Sequence, residues 1–211
     1  MTVNSTGAAP AIANVLAGRY ASPEMRELWS PEGKVMLERR LWIAVLTAQA
    51  QLGMAVPDGV IADYESVVEA VDLASIDARE RITRHDVKAR IEEFSALAGH
   101  EYIHAGMTSR DLTENVAQLQ LRRSMALLAD RALASLARLA TLAAEHATTV
   151  MAGRSHNVAA QATTLGKRFA SAAEELLEAH DRLRTLIDRY PLRGLKGPVG
   201  TQADLVDLPD L

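Results

Sequence analysis

No cysteine occurs among the 211 residues. That absence removes disulfides, thiolate metal sites, iron–sulfur clusters and thiol nucleophiles together, and it accords with a reducing compartment. Aromatic residues make up only 4%, far from the aromatic and β-branched richness of a sandwich or barrel, so an all-β fold is excluded. There is no basic excess either. Twenty-three Lys and Arg face 27 Asp and Glu, for a net charge of −4, and the electrostatic footprint of a duplex-binding domain is missing; no nucleic acid partner is expected. The segment from Met1 to Arg19 lacks the basic start and apolar stretch of a secretory signal, and no charge-free apolar run reaches membrane-spanning length. A cytoplasmic protein without membrane contact is expected.

What is present favours helices. Alanine supplies 37 residues and leucine 27, with 24% charged, the composition of long amphipathic helices. Prolines fall at 10, 23, 31, 57, 191, 198 and 209, so 58–190 is free of the strongest helix breaker. Ser30-Pro31-Glu32 reads as cap, first helical residue and first-turn acid of a helix that keeps an apolar stripe until Gly53. From Val56 to Asp77 the chain carries turn signals and short apolar clusters. Thr83-Arg84-His85-Asp86 then resembles a capping box, opening a helix that Gly99 closes.

From Thr108 to Ala152 there is neither glycine nor proline, and apolar residues recur at three- and four-residue steps. One helix of about 40 residues, roughly 60 Å long, is expected. Gly153-Arg154-Ser155-His156 reads as a turn, followed by a second long helix from about Val158 to Arg189 that contains one glycine, Gly166. Two such helices make a hairpin whose apolar faces exceed what they can cover for each other. A glycine-rich loop, Pro191 to Thr201, follows, and an apolar pattern restarts at Leu205, Val206 and Leu208. The fold class expected is all-α: a helical N-terminal domain, 1–108, then a partial central helical bundle, 109–211, truncated or completed by other chains.

Six histidines, at 85, 100, 104, 146, 156 and 180, are the side chains that titrate near neutrality without large perturbation. His146 and His180 lie among charged neighbours in long helices and read as surface residues. His85 and His156 each adjoin an arginine-bearing turn at a helix end. Such a place suits a carboxylate or phosphate ligand beside a proton donor, and equally suits a capping histidine. His100-Glu101-Tyr102-Ile103-His104 matches the short zinc-protease pattern, but Gly99 and Gly106 leave room for barely a turn and a half of helix, so a helix-to-loop segment is expected and no metal. Gly106-Met107-Thr108-Ser109-Arg110-Asp111 puts two hydroxyls and free amides at the start of the longest helix, the chemistry of an anion site or of a plain N-cap. With Thr108 and the Gly153 turn at opposite ends of one helix, a site using both needs different subunits.

These segments together resemble the fumarase/aspartase superfamily and, within it, the adenylosuccinate lyase family. The resemblance rests on Arg19-Tyr20, Thr83-Arg84-His85-Asp86-Val87, Gly106 to Asp111, Gly153-Arg154-Ser155-His156, Ala162-Thr163-Thr164-Leu165-Gly166 and Gly197-Pro198-Val199-Gly200-Thr201, in that order. It implies elimination of fumarate from adenylosuccinate, giving AMP, and from the succinylated imidazole carboxamide ribotide of purine biosynthesis, without a cofactor. By resemblance His156 is the general acid and His85 supports it. Arg19 and Tyr20 hold the nucleotide, Arg84 and Asp86 flank His85, and Thr108 with Ser109 bind the succinyl carboxylate. The sequence departs from the family pattern at Ser155, Asn157, Gln161 and Ala162. The family's serine-rich loop with Met-Pro and Lys-Asn, which carries the catalytic base, does not occur. The resemblance thus implies the N-terminal portion of a homotetrameric lyase acting on a small nucleotide, the chain alone being inactive. A sibling such as argininosuccinate lyase, or a non-catalytic helical assembly module, is the alternative.

Overall fold

The computed structural model describes residues 14–205. The first part of the Met1–Arg19 segment, and Val206 and Leu208 of the restarted apolar pattern, lie outside the described residues. The described chain is mainly helical, with a single two-stranded sheet, and no helix among the described residues is long and apolar enough to cross a membrane. It falls into two compact units, residues 1–121 with 191–211, and residues 122–190.

The first unit opens with α1 (Val15–Tyr20), α2 (Pro23–Trp29) and α3 (Pro31–Gln51). Serine caps and first-turn prolines start two of them: Ser22 Oγ accepts from Met25 N, and Ser30 Oγ accepts from Gly33 N at 2.9 Å. Gly53, at φ 104°, follows the end of α3, as the sequence leads one to expect. The stretch read as turns and clusters instead carries α4 (Val60–Ser66) and the start of α5 (Leu73–Thr83), the latter capped by Asp72 on Ser75 N. Their brevity hid their periodicity, a seven-residue helix having too few turns to show a stripe.

Next come α6 (Asp86–Ala98), closed by Gly99 at φ 75°, and the first part of α7 (Ser109–Glu145). The few aromatics are concentrated: Trp42, Tyr64 and Phe94 are fully buried, Trp42 stacked on Phe94 at 6.3 Å between centroids and Tyr64 tilted against it at 5.0 Å. Val45, Leu46, Val60, Val87, Ile103, Met107 and Leu112 complete this core. Arg39 is buried beside it, with both terminal nitrogens of its guanidinium hydrogen-bonded. Its guanidinium lies 4.7 Å over the Phe94 ring, pairs with Glu93 at 2.5 Å and donates to the carbonyls of Val67 and Val68. A buried charge persists only when paired and hydrogen-bonded in this way.

In the second unit the long helix stops earlier than its missing glycines and prolines suggest. α7 ends at Glu145, and 150–164 is a β-hairpin, β1 (Val150–Ser155) against β2 (Val158–Thr164). β-Branched residues at 148–150 and 163–164 weaken helix and favour strand. Val150 pairs with Thr164 and Met151 with Thr163, and a bulge lies between Ala152 and Arg154. At the bulge, Gly153 approaches the partner strand so closely that a Cβ would stand 2.9 Å from the Gln161 carbonyl oxygen. α8 (Leu165–Arg189) starts seven residues later than expected, capped by Thr164 on Lys167 N. Gly166 accounts for the lone glycine in that pattern. A Cβ there would meet the Ala143 carbonyl oxygen at 2.4 Å and the Ala147 nitrogen at 2.7 Å, so only glycine lets α8 begin against the end of α7. Leu128 and Leu133 on α7 and Leu177 and Leu186 on α8 are about half exposed, consistent with the expected surplus of apolar surface.

Candidate active site

The α5–α6 corner is built from residues that interrupt a helix and restart it. Arg84 adopts φ 52°, its amide donating to the Glu80 carbonyl, and closes α5. The Thr83 hydroxyl then accepts from His85 N and donates to the His85 carbonyl, so it grips the next residue from both sides. The cap of α6 is therefore His85 and not Thr83: His85 has extended backbone, and its Nδ1 accepts the Lys88 amide at 3.2 Å. The ring is half exposed. Asp86, in the first turn, pairs with Arg90 at 2.7 Å, and Arg90 Nε reaches Glu38 on α3, also at 2.7 Å. Burial opposes ionisation of Asp86, yet Arg90, the Val87 amide and His85 together hold its carboxyl below the usual range. Glu38 has no exposed surface, and burial pushes it up to about 7 against the pull of Arg90 and Lys34.

His104 belongs to the same electrostatic neighbourhood. Its backbone is left-handed at φ 69°, and its Nδ1 accepts the Trp42 indole N–H at 2.9 Å. Burial lowers it to about 4; Asp111 works against that shift, and His85 and Lys88 reinforce it. The five-residue pattern that contains it is not helical. His100 Nε2 is 2.8 Å from Asp63, and the Tyr64 hydroxyl donates to the His100 carbonyl, so each histidine is held by a different partner. Zinc-protease geometry, which needs both rings on one helical face, is not formed here.

At the start of α7, Asp111 is fully buried and accepts from the amides of Thr108, Lys196 and Gly197 and from the Arg193 guanidinium. Those amides and the arginine charge keep its carboxyl below the usual range, although burial opposes them. Asn115 accepts from Gly194 N and donates to its carbonyl, and Gln118 accepts from Arg193 N. The glycine-rich loop is thus tied to the Thr108–Ser109 segment. Gly106, at φ 69°, packs under Leu205, where a Cβ would lie 2.3 Å from a leucine methyl. With the Thr108 amide committed to Asp111, the Thr108 and Ser109 hydroxyls are the groups here that suit a ligand carboxylate.

Arg19 and Tyr20 lie on α1 with exposed side chains. The first unit therefore carries Arg19, Tyr20, Arg84, His85, Asp86, Thr108 and Ser109, and the second carries His156. His156 and Asn157, at φ 50° and 64°, form the two-residue turn of the hairpin, one step beyond the turn read from sequence. Two successive left-handed residues are what a tight hairpin turn demands. Arg154 Nη1 donates to the Asn157 carbonyl at 2.9 Å across the turn, and His156 is exposed. Glu38 and Arg90 were not among the sequence candidates, and His104 was singled out only as half of the zinc-protease pattern, where no metal was expected. His104 had a signal, its position just before the Gly106–Asp111 motif, whereas Glu38 and Arg90 are ordinary helix residues until α3 and α6 meet.

The family described as Lyase matches residues 19–205. An adenylosuccinate lyase of Schistosoma mansoni is 34% identical over 200 residues, 92% of this chain and 41% of that protein. One from Saccharomyces cerevisiae matches to the same extent, and one from Archaeoglobus fulgidus is 33% identical over 191 residues, 88% of this chain and 41% of its own. Among solved structures, a fumarate lyase from Mesorhizobium sp. BNC1 superposes with a TM-score of 0.77 at 27% identity, covering 93% of this chain and 46% of that one. A β-carboxy-cis,cis-muconate cycloisomerase from Acinetobacter calcoaceticus superposes at 0.80 with 22% identity, covering 93% and 48%, and shows the shared fold. The chain spans about two fifths of the length of the curated relatives it matches. With a family match over most of its length and the motif order of the fumarase/aspartase superfamily, this chain belongs to the lyase family.

Proposed function

We propose that these residues form part of an adenylosuccinate lyase that eliminates fumarate from adenylosuccinate and from the succinylated imidazole carboxamide ribotide of purine biosynthesis. The observation that carries this reading is the identity of about one third to adenylosuccinate lyases along nearly the whole chain. In the reaction a base removes the proton beside a carboxylate, a doubly charged carboxylate builds up, and an acid protonates the departing nitrogen. His156 is the acid, on a tight turn that fixes its backbone. His85 supports it and compensates charge, flanked by Arg84 and Asp86. The hydroxyls of Thr108 and Ser109 receive the succinyl carboxylate, and Arg19 and Tyr20 hold the nucleotide. These 211 residues contain no Met-Pro or Lys-Asn loop, and no side chain among them is assigned as the base.

The exposed leucines of α7 and α8 support assembly into a helical bundle, a homotetramer in which subunits complete one another's sites. The domain division at 108/109 and a cytoplasmic location belong to the same reading. Fumarate release by the full-length protein from adenylosuccinate, compared with argininosuccinate, is the test. Turnover of argininosuccinate alone points to the sibling lyase, and turnover of neither to an assembly module. The 211-residue chain alone is expected to associate in light scattering and to release no fumarate.

A further inference from the structure

His85 Nδ1 has two neighbours that ask opposite things of it. The Lys88 amide, 3.2 Å away, is a donor and needs a bare ring nitrogen. The Asp86 carboxylate, with Oδ1 3.6 Å away, is an acceptor and favours a proton on that same nitrogen. A neutral imidazole satisfies only one of them, and the choice decides which ring nitrogen carries the proton. Asp86, however, is not free. Its other oxygen is paired with Arg90 at 2.7 Å, and Arg90 Nε is paired in turn with Glu38 at 2.7 Å. Glu38 is fully buried, and the Arg90 side chain is nearly so. Lys34, 3.9 Å from Glu38, is the further charge facing this group from α3, and the Lys88 side chain pairs with Glu92 at 3.6 Å on α6.

We infer that Arg90, anchored by Glu38, is a positioning residue that sets the tautomer of His85: by holding the Asp86 carboxylate it leaves Nδ1 to the Lys88 amide and keeps the ring proton on Nε2. Opposite charge on a guanidinium at hydrogen-bond distance lowers the pull of a carboxylate on any third group, and a salt bridge anchored in a buried pair pays little side-chain entropy to stay in place. His85 then meets a ligand as an Nε2–H donor, suited to an anionic or carbonyl oxygen, while its lone pair stays in the helix cap. The tautomer is a property of this chain alone. Only its consequence for the substrate rests on the lyase reading.

The test is a long-range proton–nitrogen correlation spectrum of the histidine-labelled chain at about pH 8.5, well above the ordinary imidazole range of about 6.5. His85 is expected as the Nε2–H form only, with the Lys88 amide protected from exchange. Arg90→Gln should shift His85 toward the Nδ1–H form and unprotect the Lys88 amide. Adding Asp86→Asn to that variant should restore Nε2–H, a rescue that a merely structural loss would not give. If Arg90→Gln does not fold, the nearly isosteric Glu38→Gln carries the same test with a smaller shift expected. An Nδ1–H ring in the unaltered chain, or a ring unmoved by both variants, overturns the inference. Absence of fumarate release by the full-length protein would refute the lyase reading and leave the tautomer result standing.

Discussion

Trp42 donates its indole N–H to Nδ1 of His104 at 2.9 Å, joining the aromatic core of the first unit to a histidine whose backbone is left-handed. The bond satisfies the one polar atom of a buried indole and leaves the imidazole neutral, with its proton on Nε2. In the unfolded chain His104 takes up a proton near 6.5, and in the folded chain near about 4. Between those values the unfolded state holds more protons, so stability is full above about 6.5 and falls as pH drops toward 4. Because Glu38, pushed up to about 7, adds stability as pH falls over the same interval, the His104 contribution is read as a difference: from pH 7 to pH 5 the urea midpoint is expected to fall further, or rise less, for the unaltered chain than for His104→Gln. Equal differences would mean that His104 is not the group responsible.

Asp111 makes a second prediction. Its carboxylate gathers three amides and one guanidinium at a site with no solvent exposure. Asp111→Asn removes the charge that Arg193 faces and turns a donor toward amides that need an acceptor, at a cost of about 3 kcal/mol. Because the Asp111 carboxyl lies below its ordinary range, the stabilisation is present above about pH 4 and is lost as pH falls below it. Denaturant unfolding at pH 7 should show the loss, and the gap between the two proteins should close in acid. A variant as stable as the parent would refute the clamp.

The parts of the fold that the sequence made legible are those set by local signals: Ser30-Pro31 opening α3, Gly99 closing α6, and the glycine-free α7. The hairpin was not legible as strands: helix was expected up to Ala152 and again from about Val158 around a turn at Gly153 to His156, and only the β-branched residues of the flanks say that the chain is extended there. For the site, the motif residues were found by their order along the chain. Their support was not. Glu38 and Arg90 lie 52 positions apart, and nothing in either neighbourhood announces that they meet, since a pairing between two helices is a property of packing and leaves no local pattern.

Gly166 supplies a prediction for the second unit. A methyl group there would stand 2.4 Å from the Ala143 carbonyl oxygen of α7 and 2.7 Å from the Ala147 nitrogen just past its end, and backbone cannot swing aside as a side chain can. Gly166→Ala should therefore destabilise by about 2 kcal/mol despite the better helix propensity of alanine, which is worth only about 1 kcal/mol. Thermal unfolding followed by circular dichroism gives the answer. A higher midpoint would show that α8 can move away from α7 at little cost.

His156 separates chemistry from backbone. Its φ is 50° and that of Asn157 is 64°, and the hairpin turn needs both residues left-handed. Alanine at 156 therefore removes the imidazole and strains the turn by about 1 kcal/mol, whereas asparagine removes the imidazole and keeps a residue that tolerates this conformation. In the full-length protein, if His156 donates the proton to the departing nitrogen, both His156→Ala and His156→Asn should lower kcat at least about 100-fold while nucleotide binding is largely kept. Turn strain alone would hurt the alanine variant and spare the asparagine one. Steady-state kinetics on the pair, with nucleotide affinity measured separately, distinguishes the two causes: near-normal turnover in His156→Asn would remove His156 from the role of acid and leave it a turn residue.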